Sequence, residues 1–255
     1  MAKEIISSMR RYELKYTLSK EQVSYFKAEI LKHMNIDKYG LTTISSLYYD
    51  TPDYLLINRS IEKPTYKEKI RLRSYGLANN NTPIFLEIKR KNDKIVYKRR
   101  IVTNEKEAKE FFEQDKEIGN SQISRELKAF KDYYGVLEPK ILIIYDRIAY
   151  FQENSDLRVT IDMNPRYRVN DLNLHTSFEG ISLLNEGEAI LEIKVQESIP
   201  IWLTSLLTNG RIFQSSFSKV CEAYKREIKN KIYKENAYKQ SRVEVKGGYQ
   251  YGLTL

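Results

Sequence analysis

Apolar and polar residues alternate one by one along several stretches of the chain, the period expected of strands with one buried face. The stretches are residues 11–18, 42–49, 67–75, 83–90, 94–102, 140–149, 157–163 and 189–196, with a shorter candidate at 177–182. Turn chemistry separates them: Asp50-Thr51-Pro52-Asp53 closes one, Asn79-Asn80-Asn81 reads as a hairpin loop, and Asn164-Pro165 reads as a loop. Elsewhere the period lengthens to that of a helix. Ser19 with Gln22 three residues on forms a capping box for a helix to about residue 33, with Val23, Phe26, Ile30 and Met34 on one face. Asn104 with Glu107 opens another, Ser121 a third that Gly135 ends, Pro200 a short one carrying Trp202, and residues 216–231 a last one.

Charge placement then separates this chain from an ordinary half-buried sheet. The tripeptides Glu13-Leu14-Lys15, Glu87-Ile88-Lys89 and Glu192-Ile193-Lys194 recur in three strand candidates, each with glutamate and lysine on one face and the apolar residue on the other. Lys69, Arg71 and Arg73 share a face opposite Ile70 and Leu72, and Lys98 with Arg100, and Arg158 with Thr160 and Asp162, repeat the design. A solvated outer face would account for charges alone. The bias towards cations, and the supply of helices to cover the apolar side, favour charged faces turned inward. The fold expected is α+β: a closed eight-stranded antiparallel β-barrel with a polar lumen and helices packed outside.

Like charges along a strand repel, by about 4 kcal/mol for two unit charges ~4 Å apart at an effective dielectric of ~20. Such a lumen calls for a compact polyanion, whose phosphate oxygens accept the paired donors of arginine. The glutamates have two open readings, ion pairing or a divalent metal bridging phosphate oxygens. Composition agrees with a polyanionic partner: 43 Lys+Arg against 34 Asp+Glu give +9. With one cysteine, Cys221, and two histidines, His33 and His175, there is no soft-metal cluster, so any metal is a hard one held by carboxylates, Mg2+ or Mn2+. No signal peptide and no apolar run of membrane-spanning length is evident, and a cytoplasmic protein is expected. Nucleic acid is disfavoured, since no RNP-like, helix-turn-helix or zinc pattern accompanies the twenty tyrosines. Cys221 and Trp202 read as packing residues.

Six stretches in order, Arg11-Tyr-Glu-Leu-Lys15-Tyr, Ser46-Leu-Tyr-Tyr-Asp50-Thr, Lys69-Ile-Arg-Leu-Arg73-Ser-Tyr-Gly76, Phe85-Leu-Glu-Ile-Lys89, Leu191-Glu-Ile-Lys194 and Ser216-Phe-Ser-Lys219, resemble the VTC (vacuolar transporter chaperone) domain, the polyphosphate polymerase branch of the CYTH-like triphosphate tunnel metalloenzymes. The resemblance implies a tunnel domain over residues 1–232, followed by a tyrosine-rich tail, 233–255, to which no role is assigned. It implies ATP and polyphosphate or tripolyphosphate as ligands, metal activation by Mn2+ or Mg2+, and a possible membrane-protein partner. Carried over by position, Lys15, Arg71, Arg73 and Lys219 are the catalytic set, Arg59, Lys89, Arg147, Arg158 and Lys194 the phosphate-binding set, and Glu192, with Glu13 and Glu87, the metal ligands. Two positions depart from the pattern. Arg11 stands where related hydrolases have the first glutamate of Glu-x-Glu-x-Lys, which favours transfer over hydrolysis, and Ser216 stands where eukaryotic polymerases carry a further lysine. Three functions stay open: ATP-dependent polyphosphate synthesis, triphosphate hydrolysis, and non-catalytic binding of polyphosphate or inositol phosphates.

Overall fold

The predicted alternation becomes one large antiparallel sheet. In the computed structural model residues 5–7, 12–62, 64–79, 81–93, 95–228 and 231 are described; Arg11 and the tail, 233–255, lie outside them. Eight long strands carry the sheet: β2 (Tyr12–Leu18), β4 (Thr42–Asp50), β5 (Tyr66–Tyr75), β6 (Ile84–Asn92), β7 (Ile95–Thr103), β8 (Glu138–Phe151), β9 (Arg158–Arg168) and β11 (Ala189–Val195). Four short ones attach to it: β1 (Ile5–Ser7), β3 (Asn35–Ile36), β10 (Ile181–Ser182) and β12 (Gln214–Ser215). The hydrogen-bonded order is β1-β7-β6-β5-β4-β8-β9-β11-β2-β12, with β10 on β9 and β3 on β8.

That path has two free ends, so the closed eight-stranded barrel expected from sequence is corrected to an open twelve-stranded sheet. The sheet nevertheless curls back on itself. Glu13 of β2 and Lys89 of β6, near opposite ends of the path, meet at 3.0 Å. Side chains, rather than a backbone ladder, span the gap.

Helices cover most of the convex face, as expected. Ile70, Leu72, Leu86, Ile88 and Ile101 pack under Phe111 and Phe112 of α3 (Glu105–Gln114) and Leu127 and Phe130 of α4 (Gln122–Tyr134). Leu18, Val159, Ile161, Leu191 and Ile193 pack under Phe26 and Ile30 of α1 (Lys20–Ile30) and Leu203 of α5 (Ile201–Asn209). The capping box at Ser19 and Gln22 forms as read. At α3 the cap is half of one: Asn104 accepts from the Glu107 amide at 2.9 Å, but the Glu107 carboxylate takes the Thr103 hydroxyl.

Three local features escaped the sequence pattern. The turn after β4 leads into α2 (Leu55–Glu62), because the buried Asp50 carboxylate accepts from the amides of Thr51, Leu56 and Ile57 at 2.8, 2.8 and 2.9 Å and so satisfies donors at the helix start. Asn164-Pro165 is no loop but part of β9, where a register shift against Ile144 and Asp146 and a left-handed Asn164 (φ 47°) form a bulge. The extra residue turns Tyr167 to the concave side and Arg166 out to Asp146. Finally, the helix over 219–228 lies on the concave face. Val220, Cys221, Ala223 and Tyr224 pack there on Ile44 of β4, Ile141 and Ile143 of β8 and Tyr167 of β9.

Candidate phosphate-binding site

The curl gathers the charged faces of seven strands, together with Lys219, on one concave surface. Cross-strand pairing sets the first layer: Lys15 stands opposite Glu192 and Glu13 opposite Lys194 across β2 and β11, while Glu87 of β6 lies between Arg71 of β5 and Arg100 of β7. Four carboxylates, Glu13, Glu87, Asp162 and Glu192, face ten basic side chains, Lys15, Lys69, Arg71, Arg73, Lys89, Lys98, Arg100, Arg147, Lys194 and Lys219. With Lys98 counted as charged, the six unmatched positive charges are too many for the site's own anions to neutralise.

Three of the arginines, Arg71, Arg73 and Arg147, are aimed by protein groups. Arg71 donates from Nε to Glu87 at 2.9 Å and from Nη1 to the Tyr48 hydroxyl at 2.8 Å. Arg73 donates to Ser46 and to the Tyr145 hydroxyl, both at 3.2 Å. Arg147 makes a two-pronged pair with Asp162, at 2.6 and 2.8 Å, and Asp162 also takes Lys219. Planar guanidinium groups held this way suit phosphate oxygens.

The electrostatics keep the carboxylates ionised. Burial pushes Glu13 up, but Lys89, Lys15 and Lys194 override it and hold the group at about 2. Burial also works against Asp162, yet Arg147 and Lys219 hold it at about 2. Glu192 and Glu87 are likewise held low against burial, the first by Lys194, Lys15 and Arg147, the second by Arg71, Arg73 and Lys98. Lys98 moves the other way: burial, with Arg73 and Arg71 beside it, lowers its ammonium to about 7 despite Glu87 at 2.6 Å. Tyr48 falls to about 8, burial opposing and Arg71, Lys69 and Arg73 prevailing. Three buried polar atoms here, Arg100 Nε, Thr160 Oγ1 and Glu87 Oε1, have no hydrogen-bond partner, although Glu87 Oε1 has the Lys98 ammonium at 2.6 Å; the other two have no such ion pair. Buried donors in a native fold find partners, so these invite a ligand or water.

Of the residues singled out in sequence, Lys15, Arg71, Arg73, Lys89, Arg147, Lys194, Lys219, Glu13, Glu87 and Glu192 come together. Arg158 shares the concave parity of β9 but sits exposed at its first residue, its guanidinium turned to the carbonyls of Ser155 and Leu157. Arg59 is not brought in. It is exposed on α2, and the group that feels its charge is Tyr134, which bonds Glu68 on the convex side. Asp162, Lys98 and Arg100 were visible in the charge pattern but not singled out, and Tyr48 and Tyr145 carried no signal beyond strand propensity.

The donor set bears on a metal. Among the described residues no group of three or more His, Cys, Asp or Glu side chains could hold an ion by itself. Glu13 lies close enough to Glu192 to feel its charge, and two carboxylates plus waters and phosphate oxygens fit Mg2+ or Mn2+. Glu87 does not fit this role: it is 1% exposed and surrounded by Arg71, Arg73, Lys98 and Arg100.

A curled antiparallel sheet whose concave face is basic and dotted with buried acids is suited to a compact polyanion. A family comparison matches the VTC domain over residues 10–228, and the chain belongs to that family. Among solved structures it resembles a candidate adenylate cyclase of Bacillus halodurans, with 16% identity over 82% of this chain and 96% of that one, at a TM-score of 0.53. It also resembles a candidate adenylyl cyclase of Hippeastrum described as having a dominant triphosphatase activity, with 16% identity over 82% and 93% of the two chains, at a TM-score of 0.51. At these identities the likeness is one of fold. Comparison with curated proteins gave no match. No helix among the described residues is long and apolar enough to cross a membrane.

Proposed function

We propose that the concave face binds the triphosphate of ATP and the end of a polyphosphate chain, and that the protein transfers the ATP γ-phosphate to that chain. The observation that carries this reading is the excess of aimed cations, with Arg71, Arg73 and Arg147 each fixed by its own acceptors. In the reaction a terminal phosphate oxygen of the chain attacks the γ-phosphorus, a new P–O–P bond forms, and the β–γ bridging bond breaks to leave ADP. Phosphoryl transfer asks mainly for alignment and charge stabilisation. Lys15, Arg71, Arg73 and Lys219 supply the stabilisation, and Lys89, Arg147 and Lys194 hold the chain, with Arg158 at the rim. Mg2+ or Mn2+, held with the phosphates by Glu192 and Glu13, would neutralise charge on their oxygens.

Transfer is favoured over water attack by the state of the acids. All four carboxylates of the site are held low and engaged by cations, and His33 stacks on Trp202 at the convex side while His175 pairs with Glu105. A polyphosphate end, already ionised near neutral pH, needs no base; water needs a positioned base or a metal-bound hydroxide. Hydrolysis of tripolyphosphate or a nucleoside triphosphate in the same site is the second reading, supported by the triphosphatase activity described for the Hippeastrum neighbour. Incubation with ATP and Mn2+ followed by chromatography decides: ADP with polymer supports transfer, orthophosphate without polymer supports hydrolysis, and binding without turnover refutes both.

A further inference from the structure

The concave face changes character along its strands. On β6 the inward positions run Lys89, Glu87, Phe85, and on β5 Lys69, Arg71, Arg73, Tyr75, with successive residues about 7 Å apart. The cations gather around Glu87, which pairs with Arg71, Arg73, Lys98 and Arg100. One step further along, charge stops. Phe85 stands opposite Arg73 and Val102, and Tyr75 opposite Ile44, so β4, β5, β6 and β7 all turn an uncharged residue inward there. Two of these residues are aromatic and have no place in the core. Neither Phe85 nor Tyr75 belongs to the apolar packing under the outer helices or to that around the 219–228 helix. Phe85 is half-buried and carries the Arg100 guanidinium on its face, 4.4 Å from the ring centre. Tyr75 meets Phe85 edge-on, with ring centres 5.7 Å apart and planes at 83°, and is 43% exposed. Among the described residues Tyr75 meets no other ring and no cation, so its faces are open to a flat ligand.

We infer that Tyr75, backed by Phe85, seats the base of a nucleoside triphosphate whose phosphates lie over Arg73, Arg71 and Arg100. This rests on the phosphate-binding reading proposed above and adds what lets the site tell a nucleotide from an inorganic phosphate chain, which has no flat apolar part to place on the rings. The order of groups along the strands matches the order of groups in such a ligand. The base meets Tyr75, the triphosphate follows over the arginines, and Lys89, joined to the Lys194 neighbourhood through Glu13, is left on the far side for the phosphate chain. Arg100 links the two halves: its guanidinium stacks on Phe85, and its unpartnered Nε has a proton to give to a phosphate oxygen. Every base has a π-face, so stacking on Tyr75 recognises a base as such and not one particular base.

The test is calorimetric titration of the whole protein, with a chelator present to prevent turnover, using three probes: ATP, ribose 5-triphosphate, which keeps the sugar and the phosphates but lacks the base, and tripolyphosphate. ATP should bind the wild type about tenfold more tightly than ribose 5-triphosphate, a difference of about 1.4 kcal/mol and within the range of a base stacked on an aromatic side chain. Tyr75→Ala should erase that advantage while tripolyphosphate keeps its affinity, and Tyr75→Phe should retain it, because the ring and not the hydroxyl does the stacking. Equal binding of ATP and ribose 5-triphosphate to the wild type overturns the base seat alone, and so does a Tyr75→Ala variant that loses ATP and tripolyphosphate to the same degree. If none of the probes binds the wild type, the phosphate reading falls and takes this inference with it.

Discussion

Asp162 is fully buried and shared by two cations, which makes its removal the most revealing single change. Its carboxyl is held at about 2 against an ordinary 3.8, equivalent to about 2 kcal/mol of stability. The folded-state value is depressed, so this contribution is present in full above about pH 4 and is lost as pH falls towards 2. Asp162→Asn costs more than that, because Arg147 and Lys219 are left buried with an unmatched charge, and breaking such a pair costs about 3 to 5 kcal/mol. At about 2 to 4 °C per kcal/mol for a chain of this size, the melting temperature should drop by roughly 6 to 20 °C. Tripolyphosphate should then repair much of the loss, since its oxygens replace the missing acceptor. At about 100 times its dissociation constant it stabilises the wild type by ~2.7 kcal/mol, and at equal concentration it should stabilise the variant more. Differential scanning fluorimetry with and without ligand measures both. A variant that melts within about 2 °C of wild type, or whose ligand shift is smaller than that of wild type, refutes the pairing argument.

Glu192→Gln should abolish metal-dependent turnover while tripolyphosphate binding in a chelator persists, which kinetics and calorimetry read separately; normal turnover would remove Glu192 from the metal site. Arg71→Ala should weaken tripolyphosphate by about tenfold or more, consistent with loss of a charge-assisted contact, whereas Arg59→Ala should leave affinity unchanged, and a loss there would place α2 in the site. Lys98, held at about 7 by burial and its arginine neighbours, is largely neutral at pH 8 and regains its proton when phosphate arrives. Binding should therefore take up a proton at pH 8 and little or none at pH 6, where the group is already charged; calorimetry in buffers of different ionisation enthalpy shows it, and equal uptake at both values would contradict it.

The charged face was readable because strand periodicity is strict: placing Glu13, Lys15, Glu192 and Lys194 on one side needs only alternation, and β2 pairs with β11 in the register that makes them neighbours. The residues the pattern overstated or missed depend on longer-range geometry. Arg59 matched the family by position, but it sits on a helix whose start is fixed by Asp50, a side-chain contact that no periodicity reports. The bulge at Asn164 reverses which residues of β9 face inward, so alternation read through Asn164-Pro165 would assign Tyr167 to the wrong side. The helix over 219–228 has an apolar stripe like any covering helix, and only the apolar inner surface of β4 and β8 gives it a seat on the concave side. The closed barrel read from the pattern fails at one seam, because β2 and β6 meet through the Glu13–Lys89 ion pair and not through a ladder of backbone bonds, a difference that alternation does not report.

The order of pairing in the sheet has a consequence for how the molecule is made. β2 leaves the ribosome well before its ladder partners β11 and β12, which are synthesised more than 170 residues later. Until they appear, an exposed strand edge and the inner apolar wall of β4 and β8 have nothing to lie against, a state prone to association with other nascent chains. Maturation should therefore be slow and dependent on holdase protection, with polyanion affinity absent from ribosome-bound chains stalled before residue 214.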